Sequence, residues 1–218
     1  MTAGRVNIKD CKIAFFSELA RGKDVLDMGV LQHEMEKVDN PNWLHRAVVD
    51  ASKSCVGLDI DQPGVKALRD KGFEVVCADA QNFDLGRSFD VVAAGDLIEH
   101  LDNVGGFLDC VRKHVRPGGV FALSTPNPFW WKTFVHVLLT GRAVVHEQHT
   151  EWLCPQTAEQ ILNRHGFRVS QIEFGSVYSM NTIIQRITWL LDHVIPLPRR
   201  LRLNTIMLTA APVDKTNH

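Results

Sequence analysis

Residues 24–33 read DVLDMGVLQH, a short apolar run that carries Asp27 and is followed by a single glycine, Gly29. Such a run predicts a strand buried on both faces that ends at a ligand-binding turn. Six further runs of strand length follow it, at residues 55–60, 74–78, 89–95, 119–125, 168–174 and 204–211. Helical patterns lie between them, so the sequence predicts an α/β fold with a doubly wound parallel sheet.

Three segments place apolar residues at spacings of three and four, as helices with one buried face do: residues 102–116, 155–165 and 182–195. Two other segments, 126–154 and 176–203, interrupt the alternation. Both follow strands on the carboxyl side of the sheet, where open α/β folds bind ligands. We therefore expect one domain over residues 1–218, with these two insertions covering the substrate side.

Composition restricts the kind of protein. The formal net charge of −1 gives no overall attraction to nucleic acid, which is therefore not favoured as a partner. The five cysteines form no CxxC pair, as is typical of reduced thiols in the cytoplasm. The first twenty residues do not look like a signal peptide, and no uncharged apolar run reaches the roughly 18 residues of a spanning helix. We expect a soluble cytoplasmic protein; its oligomeric state is not predicted.

Four consecutive strands deliver an acid to the edge of the sheet where ligands bind: Asp27, Asp59, Asp79 and Asp96. A single acid at a strand end is often only the cap of the next helix. Four in succession would repel a phosphate-rich ligand and would hold one that carries hydroxyl groups and an amine or sulfonium cation. A carboxylate such as Asp59 accepts hydrogen bonds from both hydroxyls of a ribose.

The motifs VLDMG, CVGLDID, VVCADAQNFDL, FDVVAAGDLIEHLDN and VRKHVRPGGVFALSTPN, followed by TAEQILNRHGFRV, occur in one order along the chain. In this order they resemble the class I S-adenosylmethionine-dependent methyltransferases over about residues 20–175. The resemblance implies a Rossmann-like, mostly parallel sheet of seven strands whose last strand runs antiparallel. It implies S-adenosylmethionine as cofactor and S-adenosylhomocysteine as product. The cofactor contacts that it implies are Asp27, Gly29, Asp59, Ile60, Asp79, Ala80, Gly95 and Asp96.

The turn after the first strand departs from that family. Its usual GxGxG is replaced by Gly29-Val-Leu-Gln-His33, and 31 residues separate Asp27 from Asp59. We expect a longer loop in which Val30, Gln32 and His33 contact the cofactor and the next helix starts at residues 40–41. A damaged site would instead indicate a non-catalytic binding protein with the same fold. A nicotinamide-dependent oxidoreductase is disfavoured, because no GxGxxG turn is present to seat a pyrophosphate.

Methyl transfer to an oxygen usually needs a base, and histidine is the readiest one at neutral pH. The candidates are His100, His146 and His149, with His33 as a weaker fourth. The sequence therefore predicts methyl transfer to a small-molecule, sugar or lipid-linked acceptor, with oxygen preferred over nitrogen or carbon as the acceptor atom.

A metal site is the alternative use of the same segment. Asp96, Glu99 and His100 share a helical face at spacings of three and four, with His149 as an outlying ligand. The pattern is similar to the ExxEH metal site of small-RNA 2′-O-methyltransferases and of ubiquinone-pathway O-methyltransferases. EH after this strand also occurs in metal-free relatives, so metal binding is not favoured.

The aromatic stretch in the first insertion has two interpretations. Phe129, Trp130, Phe134, Val137 and Leu138 suit one face of a helix packed on the core, which is the expectation. If the stretch were exposed instead, together with Trp189 and the basic residues Arg199, Arg200 and Arg202, it would suit peripheral contact with a membrane or a lipid-like substrate.

Overall fold

A computed structural model describes residues 11–31, 43–176, 183–194 and 196–213 of the chain. The strands are β1 (Asp24–Met28), β2 (Ser54–Asp59), β3 (Val75–Cys77), β4 (Phe89–Gly95), β5 (Val115–Pro126), β6 (Phe167–Gly175) and β7 (Thr205–Pro212). The helices are α1 (Cys11–Ala20), α2 (Leu44–Ala51), α3 (Gln62–Asp70), α4 (Val104–His114), α5 (Trp131–Thr140), α6 (Pro155–Arg164), α7 (Ile183–Val194) and α8 (Arg199–Arg202). A 3₁₀ turn, Ile98–His100, follows β4.

The strands form one sheet in the order β3-β2-β1-β4-β5-β7-β6. The first five strands of the chain pair in parallel, and β7 runs antiparallel to both β5 and β6. The predicted seven-stranded, doubly wound and mostly parallel sheet is confirmed. The strand order reverses between β1 and β4, and the carboxyl ends of these two strands therefore border the crevice in which such sheets bind ligands.

Both faces of the central strands are buried, as their continuous apolar runs predict. In β1, Leu26 packs in the large cluster with Phe107 and Phe121, whereas Val25 packs on the opposite face with Phe16. Successive side chains of a strand point to opposite faces, so a strand between two helical layers needs apolar residues at every position.

The start of β5 differs from its prediction. The strand begins at Val115 rather than at residue 119, and its pairing with β4 is irregular between Phe89 and Val91. Gly118 has a φ of +77°, which accommodates the irregularity without strain.

The helix of the first insertion is exposed rather than packed on the core. None of the residues of α5 is buried, and Phe134 and Leu138 are 48% and 84% exposed. The expectation of core packing for residues 129–138 is therefore wrong. Helical periodicity shows that one side of a helix is apolar, but it does not show what lies against that side. None of the helices in the described segments is long and apolar enough to cross a bilayer.

Candidate active site

A cavity of about 720 Å³ opens at the carboxyl ends of β1 to β4. Three of the four predicted strand-end acids line it: Asp59, Asp79 and Asp96. The other predicted residues that line it are Gly29, Ile60, Ala80, Gly95, His100, His146 and His149. The sheet therefore brings together, in one cavity, most of the residues that were singled out along 120 positions of sequence.

The turn after β1 keeps a glycine only where the backbone requires one. Gly29 has a φ of +74° and donates its N–H to the carbonyl of Leu58 at 2.8 Å. Val30 and Leu31, by contrast, are 2% and 4% exposed and pack in an apolar cluster with Trp43. The Trp43 indole Nε1 donates to the carbonyl of Val30 at 2.8 Å. The turn is thus anchored to the core by side chains.

Because of this anchoring, the residues of the turn differ in their access to the cavity. Val30 does not line the cavity, whereas the neighbouring Leu31 does. Gln32 and His33, and the helix start expected at residues 40–41, lie outside the described residues. Their predicted roles stay predictions.

Asp27 lies beneath the cavity and does not line it. Its carboxylate is 3% exposed and bonds Nδ1 of the buried His45 of α2 at 2.8 Å. The imidazole ring packs against Trp43 and Phe73, with ring centroids 5.2 and 5.6 Å away. Cofactor contact by Asp27 stays a prediction, and His45 is a partner that no sequence pattern indicated.

The acid at the end of β2 is held rigidly. Asp59 accepts hydrogen bonds from the N–H of Leu31 at 2.9 Å and from the N–H of Asp61 at 3.0 Å. These two donors fix the orientation of the carboxylate, which can still accept bonds along its remaining lone pairs. Beside it, Ile60 is 69% exposed on the cavity wall. A fixed acceptor next to an exposed apolar side chain suits a ribose joined to a flat ring.

Asp96 lies at the end of β4 in a conformation that is unusual for its residue type. Its φ is +51°, and among the described residues it is the one non-glycine with positive φ. Ser124 Oγ donates to its carboxylate at 2.6 Å, and Lys12 of α1 forms an ion pair with it. Left-handed backbone outside glycine costs energy and clusters at functional sites. Lys12 lines the cavity as well; no sequence pattern indicated this, because Lys12 and Asp96 are 84 residues apart along the chain.

The three predicted histidines meet at one end of the cavity. The ring centroids of His100 and His149 are 4.6 Å apart, and those of His146 and His149 are 5.2 Å apart. His100 Nδ1 bonds the carbonyl of Gln148 at 3.2 Å, and His146 Nδ1 accepts from the N–H of Gln148 at 3.3 Å. A carbonyl only accepts and an N–H only donates, so the neutral rings differ: His100 has its lone pair on Nε2, whereas His146 has its proton there.

Glu99 lies beneath these rings. It is 2% exposed, and neither carboxylate oxygen has a hydrogen-bond partner among the described residues. Burial, together with the charge of Asp96, raises the pKa of Glu99 to about 8. Ligand atoms of Glu99, His100 and His149 all lie within 4.8 Å of one another. The fourth predicted metal ligand, Asp96, is not part of this group.

A second cavity of about 450 Å³ adjoins the first. Both are lined by Asp96, Pro126, His146 and His149, so the two meet at the end of β4. The first insertion forms much of the wall of the second cavity, with the side chains of Trp130, Lys132, His136 and Trp152. Two adjoining cavities that share one border can hold two molecules side by side, as the transfer of a group between them requires.

Comparison with known proteins identifies the family. A methyltransferase domain model matches residues 7–172, which is most of the chain. The chain is 28% identical to a ubiquinone biosynthesis O-methyltransferase from Nitrobacter winogradskyi over 109 residues, 47% of this chain and 41% of that protein. It thus spans less than half the length of this curated relative.

Solved structures show the same fold. An S-adenosylmethionine-dependent methyltransferase from Archaeoglobus fulgidus superposes with a TM-score of 0.62 at 19% identity, covering 93% of both chains. The 1,6-didemethyltoxoflavin-N1-methyltransferase of Burkholderia thailandensis, solved with its substrate and S-adenosylhomocysteine, gives 0.61 at 15% identity, covering 96% of this chain and 82% of that one. The chain therefore belongs to the methyltransferase domain family, with S-adenosylmethionine as its cofactor.

Proposed function

We propose that this protein transfers a methyl group from S-adenosylmethionine to an oxygen of a small-molecule, sugar or lipid-linked acceptor. The observation that carries the proposal is the meeting of the two cavities at Asp96 beside His100, His146 and His149. The ubiquinone biosynthesis O-methyltransferase named above, which methylates oxygen by its name, adds support for oxygen as the acceptor atom.

The cofactor would extend across the ends of the four strands. The carboxylate of Asp59 would accept from the ribose hydroxyls, while Ile60 and Ala80 would flank the adenine and Asp79 would accept from its amino group; all four residues line the first cavity. Asp96 would lie near the sulfonium, where its negative charge opposes the positive charge of the cofactor. In this arrangement the methyl group would lie at the border with the second cavity.

The reaction needs alignment and removal of one proton. An acceptor bound in the second cavity would place its hydroxyl at the border with the first, where it would give its proton to Nε2 of His100 while its oxygen attacks the methyl carbon. The C–O bond forms as the C–S bond breaks, and S-adenosylhomocysteine leaves with both electrons of that bond. His146, whose neutral ring has its proton on Nε2, is arranged to donate a hydrogen bond to the acceptor rather than to act as base.

Two measurements test this proposal. Titration calorimetry with S-adenosylhomocysteine should show binding, and an acceptor screen with methyl-labelled cofactor should show labelled product whose C–O bond is identified by mass spectrometry. Absence of binding at millimolar ligand would favour the non-catalytic binding protein. Binding with transfer to nitrogen alone would exclude oxygen as the acceptor atom.

Metal-assisted methyl transfer, as to a ribose 2′-oxygen, is the second candidate. It is favoured by the buried Glu99, whose two oxygens have no hydrogen-bond partner among the described residues and which approaches His100 and His149. Two imidazoles and one carboxylate fit a divalent transition metal better than Mg²⁺. A bound cation would lower the free energy of the ionised carboxylate and would polarise the acceptor oxygen.

The metal candidate makes a separate prediction. Calorimetric titration of the chelator-treated protein with Zn²⁺ or Mn²⁺ should show one site, and Glu99→Gln should abolish it while cofactor binding is kept. If the protein keeps full methyl transfer after chelator has removed all bound metal, the metal candidate is excluded.

A further inference from the structure

Two helices on the acceptor side of the sheet expose apolar stripes. In α5, Leu138 and Leu139 are 84% and 80% exposed, and Val135 one turn earlier is 42% exposed. Among the side chains of α7 that the structure describes, the exposed apolar ones are Ile183, Ile187, Leu190, Leu191 and Val194. Spacings of three and four place each set on one side of its helix. Single exposed apolar residues are ordinary on a protein surface, but stripes on adjacent helices indicate an interaction site.

The two helices are joined through one buried group. The carboxylate of Asp192, in α7, accepts a hydrogen bond from the indole of Trp131 at the start of α5. Arg202 of α8 donates to the backbone carbonyl of Asp192 at 3.3 Å. Asp192 is buried, whereas Leu190 and Leu191 beside it are exposed. The stripe of α7 therefore faces away from the contact with α5, toward solvent.

The exposed charges within the two segments that carry these stripes are basic. Residues 127–146 contain no Asp or Glu, and the one acid of residues 183–213 is the buried Asp192; the exposed Glu147 directly follows the first segment. Arg142, Arg199 and Arg200 are exposed in the same two segments. The whole chain has a formal net charge of −1, so this cationic surface stands out from the rest of the molecule. An apolar surface bordered by arginines is complementary to a bilayer that carries anionic headgroups.

We propose that the surface formed by α5, α7, α8 and residues 142–145, here the α5–α7 surface, binds a bilayer that contains anionic phospholipids. The apolar stripes enter the boundary between headgroups and acyl chains, and Arg199 and Arg200 contact headgroup phosphates. Lys132 and His136 of α5 line the second cavity, so binding brings that cavity to the bilayer. Membrane binding does not depend on the acceptor or on the proposed reaction.

Vesicle sedimentation with the purified chain tests the proposal. The protein should sediment with phosphatidylcholine vesicles that contain phosphatidylglycerol, and much less with phosphatidylcholine alone or at high salt. Leu138→Gln/Leu139→Gln should weaken binding about tenfold or more, because membrane binding of this variant no longer transfers two leucine side chains from water into the bilayer. Leu190→Gln/Val194→Gln makes the same change in the other helix and should have the same effect.

Charge is tested with a matched pair of variants. Arg199→Gln/Arg200→Gln should weaken binding to anionic vesicles about thirtyfold, which corresponds to about 2 kcal/mol for two basic residues near the surface. Lys66→Gln/Lys113→Gln removes the same charge from exposed positions in α3 and α4 and should leave binding unchanged. Retained binding of S-adenosylhomocysteine shows that each variant is folded.

Three results would overturn the proposal. The first is a folded wild-type protein that does not sediment with anionic vesicles. The second is equal loss of binding in the charge variant and its matched control. The third is a wild-type dimer that Leu138→Gln/Leu139→Gln converts to a monomer without any vesicle binding, which would assign the α5–α7 surface to a second copy of the chain.

Discussion

Replacing Val30 by alanine tests how the turn after β1 is held. Val30 is 2% exposed, packs in the cluster that contains Trp43 and Val65, and does not line the cavity. Its replacement removes two buried methyl groups, each worth about 0.8 kcal/mol, and leaves a small void, for a total loss of about 2 kcal/mol in the free energy of unfolding. In a chain of this size the melting temperature should fall by about 4–8 °C.

Thermal unfolding followed by circular dichroism measures this loss, and calorimetry measures the affinity for S-adenosylhomocysteine. The dissociation constant should stay within about threefold, a difference under about 0.7 kcal/mol, because the side chain faces the core. Val65→Ala is the control: Val65 is 1% exposed in the same cluster but belongs to α3, and it should show a similar stability loss with unchanged affinity.

The opposite pattern would refute this reasoning. If Val30→Ala weakens the affinity tenfold or more while the melting temperature hardly moves, then Val30 contacts the cofactor, as the sequence alone suggests. If both variants lose affinity equally, the apolar cluster positions the cavity as a whole.

Three further predictions concern the polar groups of the site. Asp59→Asn should weaken S-adenosylhomocysteine binding about tenfold or more in calorimetry, because hydrogen bonds to a charged acceptor are worth about 1.5–3 kcal/mol; unchanged affinity would exclude the ribose contact. His45→Ala should lower the free energy of unfolding in urea by about 3–5 kcal/mol, because it leaves the carboxylate of Asp27 buried without its partner, and a loss below about 1 kcal/mol would contradict this. His100→Gln should lower kcat by about 10²–10⁴-fold in the labelled-methyl assay, whereas His146→Gln should have a smaller effect; the reverse order would exchange their roles.

The sequence predicted the sheet well because buried parallel strands have a distinctive pattern. Apolar residues at every position identify them, and glycine or an acid at their ends identifies the turn. The pattern indicated less about residues 129–138, since an apolar helix face has the same appearance whether it meets a core, a membrane or another protein. The exposure of α5 in the structure excludes the core as the partner of this face.

Part of the site was also visible in the sequence. Asp59, Asp79 and Asp96 end parallel strands, and topology alone brings such ends to one edge. Lys12 and His45 were not visible, because α1 and α2 carry no motif that indicates where their polar side chains point. Only the folded structure shows that Lys12 pairs with Asp96 and that His45 pairs with Asp27.

The sequence by itself determined the order of strands and helices, the acids at the crevice and the family resemblance, because these depend on residue type and local spacing. The tertiary structure decided that the side chains of Val30 and Leu31 anchor the turn in the core. It also decided that His100 meets His146 and His149 across more than 40 residues of chain. Such contacts depend on which surfaces the folded sheet brings together, and local sequence patterns do not record that.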